Sequence, residues 1–110
     1  MPVFSMRSMR QIFIPVRQIR YIEAQDKYTT VVTEKGRYLF RRTMRFWEET
    51  LPRQDFCRIH KSYLLNLEYF EKTGDMVELD KDKAVKLSRG KKQEIVEQYK
   101  AYLRRKIREM

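Results

Sequence analysis

A chain of 110 residues, 42% of them hydrophobic, has enough apolar material for one packed core and too little length for two full domains. Seven Tyr, six Phe and one Trp argue against disorder, and only three Gly and three Pro exclude low-complexity linkers and collagen-like repeats. The formal charge is +10, with 25 Lys and Arg against 15 Asp and Glu, which points away from basic partners and towards a polyanion.

In chain order, Val3–Met6 and Gln11–Val16 read as an opening hairpin. Ile19–Glu23 follows as a strand, with Ile19, Tyr21 and Glu23 on alternate positions. Tyr28–Thr33 is Tyr-Thr-Thr-Val-Val-Thr, all β-branched or aromatic, and predicts another strand. Glu34-Lys35-Gly36 turns the chain into Arg37–Arg41, where Tyr38 and Phe40 share one face and Arg37, Leu39 and Arg41 the other. The period then changes. Met44, Trp47 and Leu51 recur at helical spacing behind Thr43, a suitable N-cap, and Pro52 closes the segment.

Arg58–Leu65 reads as a return to strand, ending at a turn on Asn66. Glu68–Thr73, Met76–Leu79 and Ala84–Leu87 read as a three-stranded meander through turns at Gly74-Asp75 and Asp80–Lys83. From Lys91 the pattern is helical again. Ile95, Tyr99, Tyr102, Leu103, Ile107 and Met110 lie on one face, and Lys100, Arg104, Arg105 and Arg108 surround it. This basic amphipathic helix, about five turns long at roughly 3.6 residues each, is expected to pack on the domain edge or on a partner. Glu94, Glu97 and Glu109 weaken a membrane-surface reading.

The charge is unevenly placed. Residues 1–42 hold nine basic and three acidic side chains, residues 43–88 eight and nine, and residues 89–110 eight and three. The middle is close to neutral while both flanks are cationic. Phosphate neutralisation rewards such flanks through counterion release, although solubility alone also tolerates them.

No catalytic constellation can be assembled. Cys57 and His60 occur once each, three residues apart on an expected strand, so their side chains point to opposite faces. The lone thiol beside Phe56 reads as a small packed side chain, excludes an internal disulfide and suits a cytoplasmic location. No metal-ligand spacing, phosphate-binding glycine loop or nucleophile elbow is present, so no enzyme activity, metal or cofactor is expected. No apolar run is long enough for a membrane span.

The run Phe56-Cys-Arg-Ile-His-Lys-Ser-Tyr-Leu-Leu-Asn66 is more informative. On a strand, Phe56, Arg58, His60 and Ser62 share one side and Cys57, Ile59, Lys61 and Tyr63 the other, which puts polar groups on both faces. This segment resembles the signature of the LytTR family of bacterial DNA-binding domains: Phe56, Arg58, His60, Ser62 and Asn66 match its F-x-R-x-H-x-S-x-x-x-N run. Ile19–Ala24 resembles the family's I-x-Y-I-E-A strand, and Gln25-Asp-Lys-Tyr28 its following polar loop. Thr43-Met44 with Trp47 and Leu51 resembles its short helix, with Met44 where Leu is usual. Leu87-Ser88-Arg89 resembles the closing L-S-R. The match spans roughly residues 10–92, and its strength lies in the ordered set of blocks.

The resemblance implies a mainly β fold: antiparallel sheets in an elongated sandwich with one short inserted helix. It implies a LytTR-like domain over residues 1–92, with residues 93–110 added as the C-terminal helix. It further implies transcriptional regulation by sequence-specific binding of double-stranded promoter DNA, often at direct repeats, with sheet-end loops entering successive major grooves. By position, the contacting loops are Asp26–Thr29, Lys61-Ser62 and Ser88–Lys92. Lys27, Tyr28, Thr29, Lys61, Ser62, Ser88, Arg89, Lys91 and Lys92 are therefore the expected DNA-binding residues. Arg89 suits bidentate recognition of guanine, and Lys27, Lys91 and Lys92 suit phosphates. Phe56, Arg58, His60 and Asn66 are expected to form the scaffold. Many family members carry a receiver domain that 110 residues cannot hold, which implies a stand-alone regulator or a piece of a response regulator. A homodimer on DNA and a receiver or sensor partner both stay open. Two rivals remain: an RNA-binding β module stacking bases on Tyr28 and Tyr38, and a protein-interaction subunit using the C-terminal helix.

Overall fold

The computed structural model describes residues 2–4 and 11–109 of the chain. The opening hairpin pairs β1 (Pro2–Phe4) with β2 (Gln11–Phe13), antiparallel, with Val3 opposite Ile12. Met6, expected at the end of its first strand, lies outside the described residues, as does Met110.

The β-branched runs build the main sheet. It contains β3 (Ile19–Gln25), β4 (Tyr28–Thr33), β5 (Arg37–Phe40), β6 (Phe56–His60) and β7 (Tyr63–Asn66), in the order β5-β4-β3-β7-β6, and every pairing is antiparallel. Between β5 and β6 lies α1 (Met44–Thr50). Its expected N-cap is present: the Thr43 hydroxyl accepts a hydrogen bond from the Phe46 amide. A second sheet, ordered β10-β9-β8, comprises β8 (Lys72–Thr73), β9 (Met76–Asp80) and β10 (Lys83–Lys86). The expected meander is therefore present, except that Leu67–Tyr69 forms a 3-10 turn ahead of it. The chain ends in α2 (Arg89–Glu109).

β3 is central and buried on both faces. Tyr21 packs with Val32, Cys57, Ile59, Leu65 and Leu67 against Val77, Leu79, Val85 and Leu87 of the second sheet and its exit, and against Ile95 and Tyr102 of α2. Ile22 packs on the opposite face with Val31, Phe40, Phe56 and Leu64 against Met44, Trp47 and Leu51 of the α1 segment. The main sheet is thus covered by α1 on one side and by the small sheet with α2 on the other. Each fully buried aliphatic or aromatic side chain contributes about 1.5–3 kcal/mol. A register shift between Ile19 and Tyr21 places Ile19 in the α1-side cluster with Ile22, three residues on, where strict alternation would separate them.

Two expectations need correction. Arg58–Leu65 is not one strand: His60 pairs with Tyr63, and Lys61-Ser62 is the two-residue turn between β6 and β7. The final helix begins at Arg89, two residues before Lys91, so Ser88–Lys92 is not a free loop. Lys91 and Lys92 both direct their amides to the Ser88 carbonyl, at 3.2 and 3.0 Å, which sets the first turn of α2.

Candidate nucleic-acid interface

The β3–β4 hairpin closes through Asp26-Lys27, since Gln25 pairs with Tyr28. Asp26 takes a φ of 53°, a left-handed conformation that Asp tolerates better than most residues. Asp26 and Lys27 are exposed and Tyr28 is half-buried. Thr29 is different. It is 1% exposed, and its hydroxyl accepts a 2.7 Å hydrogen bond from the Trp47 indole. Its side chain therefore belongs to the core, and a base contact expected from its place in the loop is not open to it in this conformation.

The adjacent β6–β7 turn lacks Gly, Asn or Pro and is held by side chains instead. Arg58 Nε donates to the His60 carbonyl at 3.1 Å, while the Arg58 guanidinium also reaches the Lys61 carbonyl and the Glu48 carboxylate. The Ser62 amide donates to His60 Nδ1 at 3.1 Å. One guanidinium thus fixes the turn and ties it to α1. The Ser62 carbonyl accepts from the Ala24 amide at 2.8 Å, which sets this turn beside the Asp26-Lys27 tip. Phe56 is buried in the α1-side cluster. Asn66 is buried at the other end of β7, donating to the Ile19 carbonyl at 2.8 Å and accepting from the Glu68 amide at 2.9 Å.

Lys61 also faces a third segment. It lines an open groove of about 860 Å³ with Ile59, His60, Asp75, Lys86, Leu87, Ser88, Arg89, Lys91 and Lys92. The groove lies between the β6–β7 turn, the Gly74-Asp75 turn and the start of α2. Leu87 is buried and its amide donates to the Asp75 carbonyl at 2.7 Å, fixing the exit of β10 against that turn. Five cationic side chains therefore line one groove against one carboxylate. Among the described residues, Lys61, Lys86, Arg89 and Lys91 form no ion pair, whereas Lys92 Nζ is 2.7 Å from Asp75 Oδ1. The cationic N-terminal turn of α2 also directs its positive dipole end towards this region.

The structure thus brings Lys61, Ser88, Arg89, Lys91 and Lys92 together and sets Ser62 at their edge, while Lys27 and Tyr28 occupy the neighbouring tip. Lys86 was missed. Its signal is alternation: Val85 and Leu87 point into the core, so Lys86 between them points out. Tyr38, a candidate for base stacking, packs half-buried against the α1-side cluster. Among the described residues, no group of three His, Cys, Asp or Glu could hold a metal ion. No described helix is long and apolar enough to cross a membrane.

A β framework that presents strand-end turns and a cationic groove is the architecture of a polyanion-binding domain. The chain belongs to the LytTr DNA-binding domain family, whose sequence model matches residues 9–106. Among solved structures, the fold is similar to the LytTr DNA-binding domain of a protein from Bacillus cereus described as a methyl-accepting/DNA response regulator. The TM-score is 0.71 at 22% sequence identity, covering 88% of this chain and 94% of the other. No curated protein matches the sequence significantly.

Proposed function

We propose that this domain regulates transcription by binding promoter DNA sequence-specifically, with its strand-end turns entering successive major grooves of the duplex. The observation that carries this reading is the convergence of Lys61, Lys86, Arg89 and Lys91, none with an ion-pair partner among the described residues, on one groove. Arg89 is assigned to a guanine edge, because its planar fork matches O6 and N7 together. Lys61 and Ser62 lie on the adjacent turn within reach of phosphate or base edges, and Lys27, Lys86, Lys91 and the Ser88 end of α2 serve the backbone. Tyr28 flanks the Lys27 tip. In this reading residues 1–92 carry most of the recognition surface, and residues 93–110 brace it through Ile95 and Tyr102. Direct-repeat sites would seat two copies in tandem, and a receiver or sensor partner would supply the signal. The domain acts by binding alone, in the cytoplasm, without a catalytic step.

The test is a mobility shift on duplexes selected from a random pool, repeated across a salt series. Affinity is expected to fall steeply with salt, and each lost phosphate contact to flatten the logarithmic slope by about one unit. Arg89→Ala is expected to relax base preference at one position, at a cost of about 1–3 kcal/mol. Equal affinity for all sequences, unchanged by Arg89→Ala, overturns sequence-specific recognition.

A further inference from the structure

The groove contains one feature that opposes its own charge. Asp75 is the single carboxylate among its lining residues, alongside Lys61, Lys86, Arg89, Lys91 and Lys92. Its placement is fixed by the backbone. Gly74 turns the chain at a φ of +61°, Lys72 Nζ caps the Gly74 carbonyl at 2.8 Å, and the Asp75 carbonyl accepts from Leu87 at 2.7 Å. The Asp75 side chain takes no part in that scaffold; its polar partner is Lys92, at 2.7 Å.

We propose that Asp75 is an electrostatic brake on the groove: it neutralises Lys92 and lowers affinity for the phosphate backbone without touching the base-reading residues. This rests on the groove being the DNA-binding surface. A cation and a carboxylate in contact have no net charge, so the pair releases no net counterion on binding, whether or not Lys92 moves to a phosphate. The Lys92 ammonium holds the Asp75 carboxyl below the ordinary carboxylate range, so the brake stays charged at neutral pH. Backbone attraction is the sequence-independent part of binding. Trimming it weakens binding to random duplex and leaves discrimination to Arg89 and the turns.

The experiment is a binding titration of the whole 110-residue chain against random-sequence and selected duplexes over a fourfold salt range. Asn preserves the length and turn tolerance of Asp, so Asp75→Asn leaves the scaffold bonds in place. It is expected to tighten binding to random duplex several-fold and to steepen the salt slope by about 0.9 units. The double variant Asp75→Asn with Lys92→Met has the same net charge as the wild-type pair and is expected to return to the wild-type slope. An unchanged slope in Asp75→Asn overturns the brake, and so does a slope that stays steep in the double variant. Weaker binding of Asp75→Asn to the selected duplex alone also overturns it, because Asp75 would then be accepting a hydrogen bond from a base. Lys61→Ala and Arg89→Ala are run in parallel. If both leave binding unchanged, the groove itself is not the interface, and that failure is separate from a failure of the brake.

Discussion

The Trp47 indole donates to the Thr29 hydroxyl at 2.7 Å between two residues each 1% exposed, joining α1 to β4 inside the core. Both groups are sealed from water, so neither can replace its partner. Thr29→Val keeps the shape and removes the acceptor, leaving the indole N–H unsatisfied. The expected loss of stability is about 1–3 kcal/mol by chemical denaturation, with DNA affinity at neutral pH essentially unchanged. A marked loss of affinity in a variant of wild-type stability would return Thr29 to the interface.

Thr29 also shows where a sequence stops being informative. Tyr28–Thr33 was legible as a strand because every residue is β-branched or aromatic, but nothing local says which threonine meets an indole 18 positions away. Helix α1 was legible because its cap, its apolar spacing and its terminating proline all agree. The Lys61-Ser62 turn was hidden for the opposite reason. It contains no Gly, Asn or Pro, and a guanidinium three positions before Lys61 does the work that Gly or Asn does elsewhere. The start of α2 was obscured by Gly90, which resembles a loop residue; in the first turn of a long helix its cost is absorbed by the packing of Ile95 and Tyr102. The groove residues Lys61, Ser88, Arg89, Lys91 and Lys92 were legible through the family pattern. Lys86 and Asp75 were not, because their place depends on how the small sheet docks.

Arg58 offers a test of the turn itself. Its guanidinium reaches the His60 and Lys61 carbonyls and the Glu48 carboxylate together, a geometry that a lysine ammonium on a flexible stem does not reproduce. Arg58→Lys keeps the charge and is expected to cost about 1 kcal/mol of stability, since the site is part-exposed. DNA affinity is expected to fall roughly tenfold, about 1.4 kcal/mol, as Lys61 loses its fixed position. Because net charge is unchanged, a purely electrostatic role for Arg58 predicts wild-type affinity instead, and a salt titration of both proteins separates the two.

Stability is expected to fall on the alkaline side. Burial pushes the Cys57 thiol up to about 11 from 9.0, with Glu94 adding to it and Lys91 opposing. Burial also raises the Tyr21 and Tyr102 phenols above 10.0, reinforced by their hydrogen bonds to Asp80 and Glu68. Each group keeps its proton to higher pH when folded than when unfolded. The unfolded chain therefore binds fewer protons in this window, and stability falls as pH rises. The contribution is complete below about pH 9 and is lost progressively above it, first through Cys57 and then through the tyrosines. Denaturant midpoints between about pH 8 and pH 11 check this, and Tyr102→Phe is expected to flatten the upper part of the curve. A flat profile would mean that these groups are solvated in solution.

The apolar stripe of α2 divides into two halves that mutation can tell apart. Ile95 is 1% exposed among Cys57, Leu87 and Tyr102, whereas Leu103 and Ile107, on the same expected face, are 40% and 68% exposed. The helix is held where Tyr102 donates to Glu68, Arg105 pairs with Asp55 and Tyr99 lies against Phe70 at 4.5 Å between ring centroids. Beyond that anchorage Leu103 and Ile107 stay exposed, and the stripe covers nothing further among the described residues. Ile95→Ala opens a cavity beneath the helix and is expected to cost about 2–5 kcal/mol. Ile107→Ser removes no buried contact and is expected to stay within about 0.5 kcal/mol of wild type. The pair also bears on residues 93–110 as a brace for the recognition surface. If Ile95→Ala proved as mild as Ile107→Ser in thermal and chemical denaturation, the helix would be detached from the sheets in solution, and Arg89 and Lys91 at its start would lose the fixed position that the groove requires.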